Sequence, residues 1–482
     1  TLSLHDALPI FMRIKNLASL LGLAAAMTGC GLFGPTYSKP NTDDPQSFPS
    51  RDILAVTESA NLPAMAWWKS FNDPQLNQLI ESALRNNNNI QAAIGNIVAA
   101  QGQLRSVQFA WIPTATANAA YSSKSFIGEG YNFAGTPSYS LNIFQQIRSQ
   151  QYAEANYQAV RAAKDTVRLS VISQTATGYF TLLGQDYQLQ LQKQLVSDLK
   201  ALLDFAQIEY KAGYFSLYTV QSYQQQYDSA LAQIPIIENN IVASQNALRV
   251  LLNQNPGDIK RGLKFTELNS YGVIPANIPS TVLRNRPDVR QSEQQLMAAN
   301  ANIGVATSTF FPSISLTGTT GGTAASSLSG LFQPGSDYWV QAAGVAMPIL
   351  NFGIYGQIQT AKGQYYEAYY NYLNTVRSAF AAVDNDLSAH QQLTVSLKTQ
   401  IEGYNSSKLA YKLAESSYTQ GLYSKPQLLQ NAVTMDQSAL VVQQSKLQQL
   451  GTIVQLYQDL GGGYSYHNFE STNKFGDGHD WD

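Results

Sequence analysis

Apolar and polar positions along this chain follow two different periods, and each period recurs at a long, nearly fixed offset. After Asp73-Pro74 the residues Leu76, Leu79, Ile80, Ala83 and Leu84 keep the spacing of one buried helical face. Proline stands at the first helical position, where its missing N–H is no loss. From Gln150 to Lys211 there is no proline, and glycine occurs only at 178 and 184. Sixty such residues predict a helical rod of ~90 Å. Leu182, Leu189, Val196, Leu203 and Tyr210 recur every seven residues, the period of a coiled-coil seam. Their companions Gln185, Gln192, Leu199 and Ala206 are mixed, which argues against a simple two-stranded zipper.

The second period is two. Residues 114–121 (TATANAAY) and 138–144 (SYSLNIF) predict one hairpin, joined through Gly128, Gly130 and Gly135. Residues 313–320 (SISLTGTT) and 338–347 (YWVQAAGVAM) predict another, around Gly330 and Gly335. Each first strand follows a proline, Pro113 or Pro312. Proline cannot continue a helix and disfavours helix in the residue before it, so both mark a helix-to-strand junction.

These landmarks repeat. Pro113 and Pro312 are 199 residues apart, Arg168 and Arg377 209, and YKAGYFS (210–216) and YTQGLYS (418–424) 208. Each half therefore reads helix, proline, strand, strand, long helix, glycine turn, helix. The expected divisions are a non-native prefix (1–11), a signal segment (12–29), an extended linker (30–66), a first repeat (67–262), an inter-repeat linker (263–282), a second repeat (283–464) and a tail (465–482).

No stretch beyond the signal segment reaches the 18 apolar residues of a membrane-spanning helix. Any crossing of a bilayer is expected through strands, whose length here suits that role. Four strands cannot close a barrel, and an open edge in lipid leaves backbone groups unsatisfied. Membrane insertion therefore requires several copies; three supply twelve strands.

Composition narrows the picture. Lys and Arg number 30 against 32 Asp and Glu, which gives no field to attract nucleic acid. Charged residues are only 13 % of the chain, against about 25 % in typical soluble proteins. The single cysteine, Cys30, excludes a disulfide framework and a cysteine metal site. It ends MRIKNLASLLGLAAAMTGC, with Arg13 and Lys15, an apolar run from Leu17 to Met27, and Thr28-Gly29. This resembles a bacterial lipoprotein signal, which implies a lipid-modified Cys30. Gly31 after it, rather than Asp, implies sorting to the outer membrane.

Catalytic chemistry is hard to find. Asp386 and His390 are four apart and could share a helix face, but two ligands are too few for a metal, so a solvated helix contact is expected. His5, His467 and His479 lie in or near the termini, and LGGGY lacks the context of a phosphate loop. No nucleophile–base pair stands out; no metal and no cofactor are expected beyond the lipid on Cys30.

GPTYSKP (34–40), WWKSFNDPQLNQLIESALRNNNNI (67–90), LRNRPDVRQSEQQLMAANANIGVATSTFFPSISLTG (283–318), PILNFG (348–353) and LYQDLGGGY (456–464) together resemble the outer-membrane factor (TolC-like) family, in its efflux lipoprotein branch. The resemblance implies a mainly α fold with a membrane β-barrel. Three copies would form a twelve-stranded barrel continued by a twelve-helix periplasmic tunnel. It implies the exit duct of a tripartite efflux system, with a periplasmic adaptor and an inner-membrane pump expected to be proton-driven. A duct for type I protein secretion, and a lipid-anchored periplasmic coiled-coil scaffold, are the alternatives. By the same resemblance Gly213, Ser216, Gly421 and Ser424 lie at tunnel-tip turns that meet the adaptor. Gln427 and Gln430 occupy positions where the family commonly carries aspartates that narrow the pore, which implies a constriction with weaker cation preference.

Overall fold

The computed structural model describes residues 34–42, 48–50, 66–122, 130–268, 283–284, 286–324 and 327–462. Cys30, the signal segment, the prefix, the tail, much of the inter-repeat linker, and His5, His467 and His479 lie outside the described residues. The chain divides into two compact units, one of residues 1–41, 96–161 and 291–373, the other of 42–95, 162–290 and 374–482.

A 3₁₀ turn (Trp67–Phe71) is followed by helices α1 (Pro74–Asn86) and α2 (Asn88–Phe109), strands β1 (Thr114–Ser122) and β2 (Gly130–Leu141), and helices α3 (Ile143–Lys211) and α4 (Leu217–Leu251). The second half runs α5 (Pro287–Ser308), β3 (Ser313–Ala324), β4 (Asp337–Ala346), α6 (Phe352–Thr419) and α7 (Lys425–Asp459). From α2 onward the two halves correspond element by element. Helices α2 and α5 have 22 residues each, α3 and α6 have 69 and 68, and α4 and α7 have 35 each.

The first unit is built on one four-stranded antiparallel sheet in the order β1-β2-β3-β4. The two predicted hairpins are thus fused through the β2–β3 pairing. Strand β2 differs from the expected 138–144: it begins at Gly130, contains Gly135, and stops at Leu141. The reason is Asn142, whose Oδ1 accepts from Gln145 N at 3.1 Å and starts α3, so Ile143 and Phe144 are already helical.

In the second unit the predicted face of α1 is buried through Leu76, Leu79, Ile80 and Ala83, with Leu84 half-buried. Asp73 is the hub. Its Oδ1 accepts from Gln75 N at 2.8 Å and Leu76 N at 3.3 Å, capping the helix. Its Oδ2 accepts from Tyr179 Oη at 2.9 Å and Leu263 N at 3.2 Å. Gly262 N in turn donates to Tyr179 Oη at 2.9 Å, and burial raises the pKa of that phenol. Trp67, fully buried, stacks on Tyr457 with ring centroids 4.8 Å apart.

The predicted seven-residue seam is buried in part. Leu182 and Leu203 are inside, with the companions Gln192, Leu199 and Ala206, whereas Tyr210 is 43 % exposed and Leu189 and Val196 are half-buried; Leu195 and Leu202 join the buried face. Helix α3 has more than one neighbour, which widens its apolar band: Leu195 and Leu199 cluster with Ala230 of α4 and Val433 of α7. Leu203 and Ala206 cluster with Val220 of α4. Gln192 is tolerated inside because its amide donates to Ala230 O at 2.7 Å.

Candidate functional site

Directly paired residues of antiparallel strands share a face, so the register sorts the sheet into two surfaces. On one lie Ala115, Ala117, Ala119 and Tyr121 of β1, Phe133, Pro137, Tyr139 and Leu141 of β2, Ile314 and Leu316 of β3, and Trp339, Ala343 and Val345 of β4. On the other lie Thr114, Thr116 and Asn118, Asn132, Thr136, Ser138 and Ser140, and Ser313, Ser315, Thr317 and Thr319. Strand β4 is mixed: it puts Ala342, Gly344 and Ala346 but also Tyr338 and Val340 on this polar face, and Asp337 and Gln341 on the apolar one. Hydroxyls pair across the strands there, Thr116 Oγ1 lying 2.6 Å from Thr136 Oγ1. The apolar face is exposed at Tyr121, Phe133, Ile314, Leu316, Trp339 and Val345. Among the described residues neither sheet edge, β1 or β4, has a strand on its outer side. The strands run 9 to 12 residues, the length that crosses a hydrocarbon core when tilted.

Both prolines stand where predicted. Helix α2 ends in one tight turn, Ile112 N donating to Phe109 O at 2.8 Å, and Pro113 then opens β1. Helix α5 ends the same way, Phe311 N donating to Ser308 O at 3.1 Å before Pro312 and β3.

The segment after Cys30 is seated along α5. Gly34, in the left-handed region at φ +84°, lies against Gly304, where an added Cβ would come within 2.7 Å of the Gly304 Cα. Asn300 Nδ2 donates to Pro35 O at 3.1 Å, and Lys39 Nζ binds Glu293 Oε2 at 2.8 Å. Rising residue numbers from Gly34 to Lys39 thus meet falling α5 numbers, with Gly34 at the end of α5 nearer Pro312 and the sheet.

The two predicted tip turns have one backbone. Gly213 sits at φ +83° and Gly421 at φ +76°, where a side chain is strained. Tyr214 N donates to Glu209 O and Leu422 N to Ser417 O, each at 2.8 Å. Ser216 Oγ accepts from Thr219 N at 3.2 Å and caps α4. Ser424 opens α7 differently: its N and Oγ donate to Gln427 Oε1 at 2.9 and 3.0 Å. Gln427 is therefore engaged in a helix cap, and Gln430 is exposed one turn further on. Tyr214, Leu217, Tyr218 and Leu422 expose large apolar surface around these turns.

Two carboxylates stand out, Asp386, which the pattern of residues had paired with His390, and Asp436, which it had not made a site. Asp436 on α7 is only 3 % exposed; burial, with a hydrogen bond to and the charge of Asp198, pushes its pKa up to about 7. Asp386 is raised to about 8, chiefly by burial and then by Asp459 beside it. His390, expected in a solvated contact with Asp386, is instead buried at 9 % exposure, because α6 turns this face inward. Arg286 compensates the acidic pair, its Nη1 donating to Asp459 Oδ1 at 3.4 Å and its Nη2 to Asp288 Oδ2 at 2.8 Å. Among the described residues no group of three or more His, Cys, Asp or Glu is placed to hold a metal.

Comparison with known proteins agrees with this architecture. The outer membrane efflux protein family model matches residues 79–254 and 278–462, one segment in each repeat. The solvent efflux pump outer membrane protein SrpC of Pseudomonas putida is 30 % identical over 471 residues, covering 94 % of this chain and 99 % of that protein. The Campylobacter jejuni CmeC outer membrane channel superposes with a TM-score of 0.81 at 24 % identity, over 92 % of this chain and 99 % of that one. The open state of the Neisseria gonorrhoeae MtrE outer membrane channel gives 0.76 at 27 % identity, over 90 % and 98 %. The chain belongs to the outer membrane efflux protein family. It is the outer-membrane duct of a tripartite efflux system and not an enzyme.

Proposed function

We propose that three copies of this chain close into one barrel and tunnel that passively conducts small molecules from periplasm to exterior. One observation carries the reading: a sheet with an apolar face bare to its surroundings, a polar opposite face, and two open edges. Lipid accepts such a sheet only when its edges are paired. Two copies would make an eight-stranded barrel, whose interior side chains fill; three leave a lumen lined by the hydroxyl face.

The exposed aromatic tips around Gly213, Ser216, Gly421 and Ser424 suit contact with a periplasmic adaptor, which couples the duct to an inner-membrane pump driven by protons. Gly34, four residues after Cys30, lies against Gly304 near the sheet end of α5, which supports a lipid anchor on Cys30. Gln427 and Gln430 close the tip without a carboxylate ring, so divalent cations block it weakly.

Planar-bilayer recording of the detergent-extracted chain tests the reading, with mass measured in the same detergent. Discrete conductance from a species of three-chain mass is expected, with little block by millimolar divalent cations. A monomer that leaves bilayers impermeable overturns the duct, and strong divalent block overturns the tip assignment.

A further inference from the structure

Within the chain, α3 and α5 meet beneath the β2–β3 pairing, and Asn142 joins them. Its Oδ1 starts α3. Its Nδ2 donates to Ser308 O at 2.8 Å and Phe311 O at 3.1 Å, the two carbonyls that bound the closing turn after α5. Two residues on, the ring of Phe144 packs on Phe311 with centroids 4.6 Å apart.

The duplication places the same parts at the open edges. Asn351 stands 209 residues after Asn142, immediately before α6, and its Oδ1 accepts from Gly353 N at 3.0 Å. Phe109 and Ile112 stand 199 residues before Ser308 and Phe311 and make the same closing turn. Helix α2 leads into β1 and α6 leaves β4, however, and these are opposite edges of the sheet. Three strand spacings, about 14 Å, separate them, so the partner that Asn142 finds inside the chain is out of reach for Asn351. Burial shows the same asymmetry: Leu141 at the inner seam is 9 % exposed, whereas its counterpart Leu350 is 83 % exposed.

We propose that Asn351 of one copy caps the helix end before Pro113 of the next. Its Nδ2 donates to the carbonyls of Phe109 of the partner subunit and Ile112 of the partner subunit, as Asn142 does within the chain. The occupant of this edge is a second copy because the inner seam already shows the complementary surface, carried by the same chain. The contact presupposes the closed ring of three and adds the residue that fixes its seam.

Two experiments on the full-length chain in detergent decide it. Ile112→Cys combined with Gly353→Cys, the counterparts of Phe311 and Phe144, is treated with a short bifunctional maleimide. A covalent trimer on denaturing gels is expected, and neither single variant should pass beyond monomer. Asn351→Asp keeps the oxygen that starts α6 and loses the donor. It should lower the temperature at which the trimer dissociates and leave the helical circular dichroism of the chain unchanged. Trimers that resist cross-linking and tolerate Asn351→Asp overturn this contact but leave the ring standing. A chain that stays monomeric overturns both.

Discussion

The turns at 210–216 and 418–424 share their backbone and differ in the charge chemistry above them. Asp228 and Asp436 occupy the same place, 208 residues apart. Asp228 is exposed, and both its oxygens accept from Gln224 Nε2 at 2.9 Å. At the position matching Gln224 the second hairpin carries Ala432, and Asp436 is buried facing Asp198. A duplicated scaffold keeps its turn because only glycine is unstrained at such φ values. It does not keep a carboxylate in water, because burial depends on neighbours that diverge freely.

The largest effect that probes the inequality of the halves is expected at the entry to the first, where Asp73 stands. Asp73→Ala removes a cap and leaves Tyr179 Oη and Leu263 N without their acceptor, a loss of about 2–4 kcal/mol. Thermal unfolding in detergent measures it, and a loss under about 1 kcal/mol would deny Asp73 its role as hub.

Next come the turns. Gly213→Val and Gly421→Val should each cost about 1–2 kcal/mol from left-handed strain. Costs that differ between the two would show that the shared backbone is not equally enforced.

Asp436 sharpens the contrast through pH. Its folded pKa of about 7 lies above the ordinary 3.8, so folding takes up a proton. The stability linked to it is fully present below the lower value and is lost as pH rises through the upper one. Asp436→Asn should therefore flatten the melting profile between these two values and raise the melting temperature at pH 8. Asp228→Asn should do neither; an unchanged profile in the first variant would place Asp436 in water.

The smallest difference is between the caps. Ser216→Ala should cost about 1 kcal/mol, as a lone N-cap does. Ser424→Ala should cost about half of that, since Gln427 still accepts from the backbone N of residue 424. Equal losses in paired melts would remove the distinction.

Much of this was legible in the residues. The apolar spacing after Pro74 gave the buried face of α1, the absence of breakers gave the uninterrupted α3, and both prolines ended helices as their chemistry requires. Strand β2 was placed several residues late because Gly130 and Gly135 read as loop, whereas Gly130 pairs with Ser122 and Gly135 with both Ala117 and Thr320. The seam of α3 was legible at Leu182 and Leu203, but a seven-residue repeat assumes one partner helix; α3 contacts both α4 and α7, which brings Leu195 inside as well. His390 read as solvated because exposure on a helix shared by several neighbours cannot be counted from spacing alone.

The order of elements, their duplication and the two helix-to-strand junctions were set by the sequence, since each depends on bonds and periods within a few residues. The apolar outer face of the sheet required the register of four strands drawn from positions 114 to 346. The raised pKa of Asp436 required first its burial and then Asp198, on a different helix, beside it. Those two properties are sums over neighbours remote in the chain, and only the packed structure brings those neighbours together.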